Sequence, residues 1–338
     1  MNLRGAGLIA AGLVAACVTF QATEAEPIAV TAAPIPLYPS NPGDQRAGAL
    51  IYRGGLLLTS NEKAFGGLSD LAVSTDGSEI LAISDGGSWL SAKLTYDQTG
   101  NLAGLNSVEM APMLNGAGRP IQGGARDAEG LTLERPNELH GPVIVSFDRR
   151  VRVLRYDLSK GFSALPVPVP IGDWVQPLRA NAQLEAITLF KPDALLVFGE
   201  SRIGSEDIRG ALEAYPGNGR PQTRPLSVVP HDPFSVTGAA NAPDGGIFLL
   251  ERRYSLIGGV GMELRHVAGS EVHEGARLGG KVLANLSFQD ANIDNMEGIA
   301  VRRGPKGETL LYMISDNNFS PLQRTLLLMF ELKDGAAR

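Results

Sequence analysis

Residues Met296–Asn318 read "MEGIAVRRGPKGETLLYMISDNN". A short apolar segment opens with an acid, Glu297. A Gly-Pro-Lys-Gly turn follows, and then a strongly apolar run stops abruptly at Asp316. Short β-branched and Leu-rich runs bounded by Gly, Pro, Asp and Asn are the pattern of a strand hairpin. The same layout begins at Leu68 ("LSDLAVSTDGSEILAISDGG"), Ala128 ("AEGLTLERPNELHGPVIVSFDRR"), Leu184 ("LEAITLFKPDALLVFGESR") and Val236 ("VTGAANAPDGGIFLLERR"). The starts lie about 50 to 60 residues apart, a period at which repeats indicate propellers.

Four strands per unit make a propeller blade. The last unit has three, ending in "TLLLMFEL" (Thr325–Leu332), and "ALIYRGGLLLT" (Ala49–Thr59) offers the fourth. Closing the ring with both ends of the chain leaves no free sheet edge. No long helical pattern appears after Ala47. The expectation is all-β: a propeller of five four-stranded blades, closed by pairing of the N-terminal strand with the C-terminal blade. A sixth, degenerate blade near 90–126 or 260–294, and an open β-sandwich assembly, are the alternatives.

The chain has 338 residues, 43% hydrophobic and 20% charged, with 41 Gly and 22 Pro, which suits a sizeable core cut by many turns. A net charge of -6 argues against a nucleic-acid partner. The single cysteine, Cys17, excludes a disulfide framework and a cysteine-based zinc site. His140, His231, His266 and His273 show no ligand spacing. The start, "MNLRGAGLIAAGLVAAC", has Arg4 and a short apolar stretch, the form of an export signal. "VAAC" resembles a lipobox, which makes Cys17 a lipidation site; cleavage after Ala25 is the alternative. The expected organisation is a signal peptide over 1–17, a Pro/Ala/Thr-rich tether over 18–46 and the propeller over 47–335. The expected location is the periplasm, with any membrane contact through a lipid anchor at the outer membrane, and the expected state is a monomer.

In a hairpin, the start of the first strand and the end of the second share one end. Strand ends therefore gather on one face of the ring. The second strands end at Asp85, Asp148, Glu200, Glu251 and Asp316, and three first strands begin at Glu129, Glu185 and Glu297, the others at Ser69 and Thr237. Crowded like charges require an offset. Arg149, Arg150, Arg202, Arg252, Arg253 and Arg324 are one. Calcium, which takes six to eight oxygen ligands, is the other, with Asn295, Asn317 and Asn318 as further donors. Asx turns and inter-blade ion pairs account for the same residues structurally. No G-x-S-x-G elbow, P-loop or dinucleotide fingerprint occurs in a supporting context.

The segments "FGGLSDLAVSTDGSEILAISDGG", "DAEGLTL", "LLERRYS", "NMEGIAV" and "SDNNFSPLQRTLLLMFEL" resemble the phytase-like family, exported bacterial proteins described by esterase-like activity of phytase. The likeness runs from about Phe65 to Leu332. It implies a β-propeller and a metal-assisted hydrolase. The acidic "D-D-P-A" segment and lysine-rich phosphate contacts of β-propeller phytases are not found here. The expected activity is calcium-assisted hydrolysis of a small phosphate or carboxylate ester. Glu129, Glu185 and Glu297 would be catalytic, and Arg149, Arg252 and Arg324 would bind substrate. Asp85, Asp316, Asn317, Glu200 and Glu251 would hold metal. A non-enzymatic envelope binding module and a lactonase-like propeller are the competing readings.

Overall fold

The computed structural model describes residues 25–175, 184–202, 206–215, 220–255, 258–333 and 335–336. Cys17 and the export signal lie outside the described residues. Five sheets form five blades, antiparallel except where Arg277–Leu278 pairs in parallel with Gln222–Val228. Their innermost strands are Leu68–Val73, Ala128–Leu133, Leu184–Lys191, Ser235–Asn241 and Met296–Arg303. Each packs against the next, and the last packs against the first, so the ring is closed. The five repeats are the five blades. The segments that left room for a sixth belong to blades 1, 3 and 4: Ser88–Tyr96 and Leu102–Pro112 complete the first. Gly259–Val267 and Lys281–Ser287 complete the fourth, and Arg277–Leu278 adds to the edge of the third.

Alternation explains why the second strand of each blade is almost continuously apolar. Successive side chains point to opposite faces, and here both faces meet a neighbouring blade. In Glu79–Ser84, Ile80 and Ala82 enter the core between blades 5 and 1, whereas Leu81 and Ile83 enter the core between blades 1 and 2. In Thr309–Ser315, Leu311 and Met313 face blade 4, and Leu310, Tyr312 and Ile314 face blade 1. The protein thus has one apolar core per seam. Each fully buried Leu or Ile contributes on the order of 1.5–3 kcal/mol.

Blade 5 is completed from the N-terminal side: Leu50–Thr59 pairs antiparallel with Thr325–Leu332, Leu50 opposite Leu332 and Leu58 opposite Thr325. The segment read as a tether is, from Ala25 onward, fastened to the ring. Glu26–Pro27 pairs with Met110 and Glu109, and Thr31–Pro34 pairs with Leu56–Thr59. Leu37, 1% exposed, joins the core between blades 4 and 5. The propeller therefore extends well before residue 47. Proline and alanine hid this, because a short outer strand needs no alternation of its own.

Candidate active site at the acidic mouth

All five hairpins share one irregularity. The pairing slips by a residue between Leu68 and Asp70, Ala128 and Leu131, Leu184 and Ile187, Val236 and Gly238, and Met296 and Gly298. A bulge bends a strand and re-aims a side chain. The residues it displaces are Ser69, Glu129, Glu185, Thr237 and Glu297. Small residues follow in four blades because the strands come very close there. A Cβ on Gly130 would lie 2.6 Å from the Glu185 carbonyl oxygen, and one on Gly298 2.5 Å from Asp70 Cα. In blade 1 that place is taken by Asp70, which is 2% exposed. Its carboxylate accepts the backbone N–H of Leu71 (2.8 Å), Leu131 (2.7 Å) and Ile299 (3.2 Å) and ties three inner strands together.

The strand ends opposite these bulges are Asp85, Asp148, Glu200 and Asp316, as the sequence indicated. The fifth is Arg252, not Glu251. Ser235 pairs with Arg252, as the backbone of Gly67 pairs with Asp85 and that of Asn295 with Asp316. One residue of offset sends Glu251 to the other face of its strand, fully buried, where it forms a bidentate pair with Arg265. Glu251 is therefore not a mouth residue.

Arg252 occupies the centre of the acidic group. Its Nε lies 3.0 Å from Glu297 Oε1, and its Nη2 donates to Glu200 Oε1 at 3.1 Å. Burial works against its charge, but Glu297, Glu200, Glu185 and Asp316 outweigh this and raise its proton affinity. Glu297 also accepts from Asn295 Nδ2 at 2.6 Å. Its carboxyl is nonetheless pushed up to about 8, first by burial and then by Asp316 and Glu200, with Arg252 opposing. Asp316, 6% exposed, accepts the N–H of Asn318 at 2.6 Å. Burial and Asp85 push it up to about 7. Glu185, 7% exposed, is raised by burial and by Glu200 and Glu297. Glu129 is raised by burial and by Glu185, Glu297, Asp127 and Asp85, with no cation in opposition, and among the described residues its carboxylate makes no hydrogen bond or ion pair. Asp85 is raised by burial and by Asp127, and its buried Oδ1 has no hydrogen-bond partner among the described residues.

The other expected substrate and metal residues are placed differently. Arg149 sits at the rim, 2.9 Å from Asp127. Arg324 is used by the preceding loop, at 3.2 Å from Asp294, 3.0 Å from Asn292 Oδ1 and 2.8 Å from the Ile293 carbonyl. Asn317 Oδ1 accepts the N–H of Gly67 at 3.0 Å and of Phe319 at 3.1 Å, clasping blade 5 to blade 1 instead of offering a free donor. Asp127 and Asp294 were not foreseen, although each precedes its glutamate within "DAEG" and "DNMEG". Among the described residues, no three His, Cys, Asp or Glu side chains stand so that they could hold a metal ion as they are. The best oxygen donors for a hard cation are Glu129, Glu185 and Asp85. Glu129 and Asp85 are the under-partnered members of the group.

Two depressions lie away from these carboxylates. One, about 670 Å³, is a groove beside Glu79, Lys93, His140, Lys160 and Phe162. The other, about 420 Å³, is the opposite end of the channel, where Thr188, Asn241 and Asn137 are engaged in inter-blade hydrogen bonds. Both lie apart from the carboxylate cluster, and the mouth is the site with chemical potential.

The profile of a family described as "Phytase-like: Esterase-like activity of phytase" matches residues 63–319. No curated protein matches the chain. Among solved structures it is similar to the tail fiber of Staphylococcus aureus phage P68, at 15% identity and a TM-score of 0.42, over 85% of this chain and 53% of that one. The chain thus spans about half the length of the tail fiber chain. It is also similar to the Myceliophteria thermophila Cps50 (Swd1) beta-propeller domain, at 11% identity and a TM-score of 0.39, over 85% of this chain and 93% of that one.

Proposed function

Because this chain belongs to the phytase-like family described by esterase-like activity of phytase, we propose that it hydrolyses small phosphate or carboxylate esters at the acidic mouth of the ring, assisted by calcium. The observation that carries the reading is Glu129. It is a bulge-directed carboxylate without a hydrogen bond or ion pair among the described residues, and four other carboxylates raise its proton affinity. Such a group either holds a proton at neutral pH and delivers it to a leaving oxygen, or gives up that proton to a cation. Glu185, raised in the same way, is its partner: with one of the two protonated, the other accepts a proton from the attacking water. A bound calcium ion would supply charge for the developing oxyanion. Asp85 and the unprotonated member of the Glu129–Glu185 pair would be its ligands. Arg252 holds Glu297 and Glu200 in place, and it is a positioning residue more than a substrate clamp.

The test combines metal analysis with turnover and melting. The parent should hydrolyse at least one ester of a phosphoester and carboxylic-ester panel, and calcium should raise its melting temperature relative to chelator. Glu129→Gln should remove most of that gain and lower kcat by about 100-fold or more. Absence of metal, of a calcium effect and of turnover together would leave the mouth as a binding surface held by ion pairs.

A further inference from the structure

The loop between Asp316 and Arg324 does more than clasp two blades. Asn318 and Phe319 both have φ of 48°. For a bulky aromatic this left-handed conformation is unfavourable by roughly 1–2 kcal/mol, and such strain collects at functional sites. Its effect here is to lay the Phe319 ring on three glycines of blade 1, Gly66, Gly67 and Gly86. A Cβ on Gly67 would fall 2.5 Å from Phe319 Cε2 and 1.9 Å from Asp85 Oδ1, and one on Gly86 would fall 3.1 Å from Phe319 Cζ. The ring edge and the unpartnered Asp85 oxygen thus border the same small space. The rest of the ring is open: Phe319 is 46% exposed and Leu322, three residues on, is 91% exposed. The other exposed aromatics among the described residues, Tyr254 near the mouth end of the strand Ile247–Ser255 and Phe288 just after Lys281–Ser287, belong to blade 4.

Charge limits what this shelf can receive. The three arginines closest to the acidic group already have carboxylates: Arg252 has Glu297 and Glu200, Arg149 has Asp127 and Arg324 has Asp294. Among the described residues Asp85 and Glu129 are in no ion pair, and Arg149 acts on Asp85 only from beyond contact. An anionic group would meet excess negative charge there, whereas a neutral group would be unopposed. We propose that Phe319, with Leu322, is the platform for the aryl or alkyl part of a neutral carboxylic ester, so that it sets the substrate class of the mouth. This rests on the hydrolase reading for turnover but not for binding.

The test separates the two. Binding of acetanilide, an uncharged aryl amide that mimics an aryl ester, is titrated by calorimetry in chelator-containing buffer, with phenyl phosphate as the anionic comparison. Hydrolysis of 4-nitrophenyl butyrate is followed in parallel. The parent should bind acetanilide and prefer it to phenyl phosphate. Phe319→Ala should weaken binding by about three- to tenfold, the worth of one aromatic contact, and Phe319→Leu by less. Leu165→Ala, an exposed apolar residue in the connection before Val167–Val169 of blade 2, should leave it unchanged. Where turnover occurs, KM should rise with the same factor and kcat should hold. Binding that depends on Phe319 without turnover sinks the hydrolase reading and keeps the platform. Failure of the parent to bind acetanilide, a preference for phenyl phosphate, or binding and KM indifferent to Phe319→Ala overturns the platform, whatever the turnover.

Discussion

Raising the pH from 5 to 8 should destabilise this protein. Glu297 is pushed from 4.5 up to about 8 and Asp316 from 3.8 up to about 7, in both cases chiefly by burial. Between the unfolded and folded values the native carboxyls keep protons that the unfolded chain has released. Stability therefore falls as pH rises through that window. For Glu297 alone, the shift from 4.5 to about 8 corresponds to a loss of about 3 kcal/mol between pH 5 and pH 8. Asp316 acts in the same direction, but the two carboxyls repel each other, so their losses do not add. Burial raises Glu129, Glu185 and Asp85 too, with the same sign. Groups shifted the other way do not cancel this. Asp76 and Asp97, held at about 2 chiefly by backbone hydrogen bonds from Ser78 and Asn101, contribute stability that is complete before pH 5.

A loss of about 3 kcal/mol corresponds to a fall of roughly 4 °C in melting temperature for a chain of this size. The assay is a thermal melt at pH 5, 6.5 and 8, at fixed ionic strength with chelator, in the parent and in Glu297→Gln. Glutamine cannot ionise, its Oε1 still accepts from Asn295, and Arg252 retains Glu200. The fall should be plain in the parent and clearly smaller in the variant. A parent melting temperature that is flat or rises toward pH 8, or a fall equally steep in Glu297→Gln, would refute the reasoning. The mouth carboxylates would then be ionised at pH 5 already. Under the calcium reading, adding the ion should recover more stability at pH 8 than at pH 5, since its ligands must first lose their protons.

Two further outcomes follow from the fold. Deleting residues 50–59 removes the strand opposite Thr325–Leu332 and should give a chain that aggregates or loses most of its cooperative melt; a truncated chain that melts like the parent would mean that blade 5 closes without it. Glu251→Gln weakens a buried bidentate pair and leaves Arg265 without its counter-charge, so it should destabilise by about 3 kcal/mol or more by thermal or urea melts. The same variant should leave the calcium-induced shift unaltered, because Glu251 faces away from the mouth; a lost shift would return Glu251 to the site.

The blades were legible in the sequence because a strand buried on both faces must be apolar throughout, and the acid that ends each run marks where the strand emerges. That signal gives position to within a residue, and a single residue decides the face. In "LLERRYS" the strand continues to Ser255 without a turn, so nothing in the sequence distinguishes Glu251 from Arg252 as the mouth position. Pairing resolved it. The structural partners of Arg324 and Asn317 were hidden for a different reason. These partners, Asp294 and Gly67, are far away in sequence or belong to another blade, and no local pattern reports such contacts. The strands within 25–46 were missed because a short edge strand carries no periodicity.

The repeat is five-fold but its mouth is not, and the asymmetry bears on function. At the bulge, blades 2, 3 and 5 present Glu129, Glu185 and Glu297, while blades 1 and 4 present the short Ser69 and Thr237. The space beside blade 4 is taken by Arg252, which reaches Glu297 of blade 5 and Glu200 of blade 3. Blade 1 is covered from outside, by the strained loop that lays Phe319 on Gly67 and Gly86 beside Asp85. A ring built only for stability would gain from the same Arg-carboxylate contact in every blade. This one places its cation on one side and a half-open aromatic ring next to unpaired acids on the other. Under the proposed ester hydrolysis, a substrate approaching the mouth would meet two unlike walls, and their difference would orient its ester bond between Glu129 and Glu185.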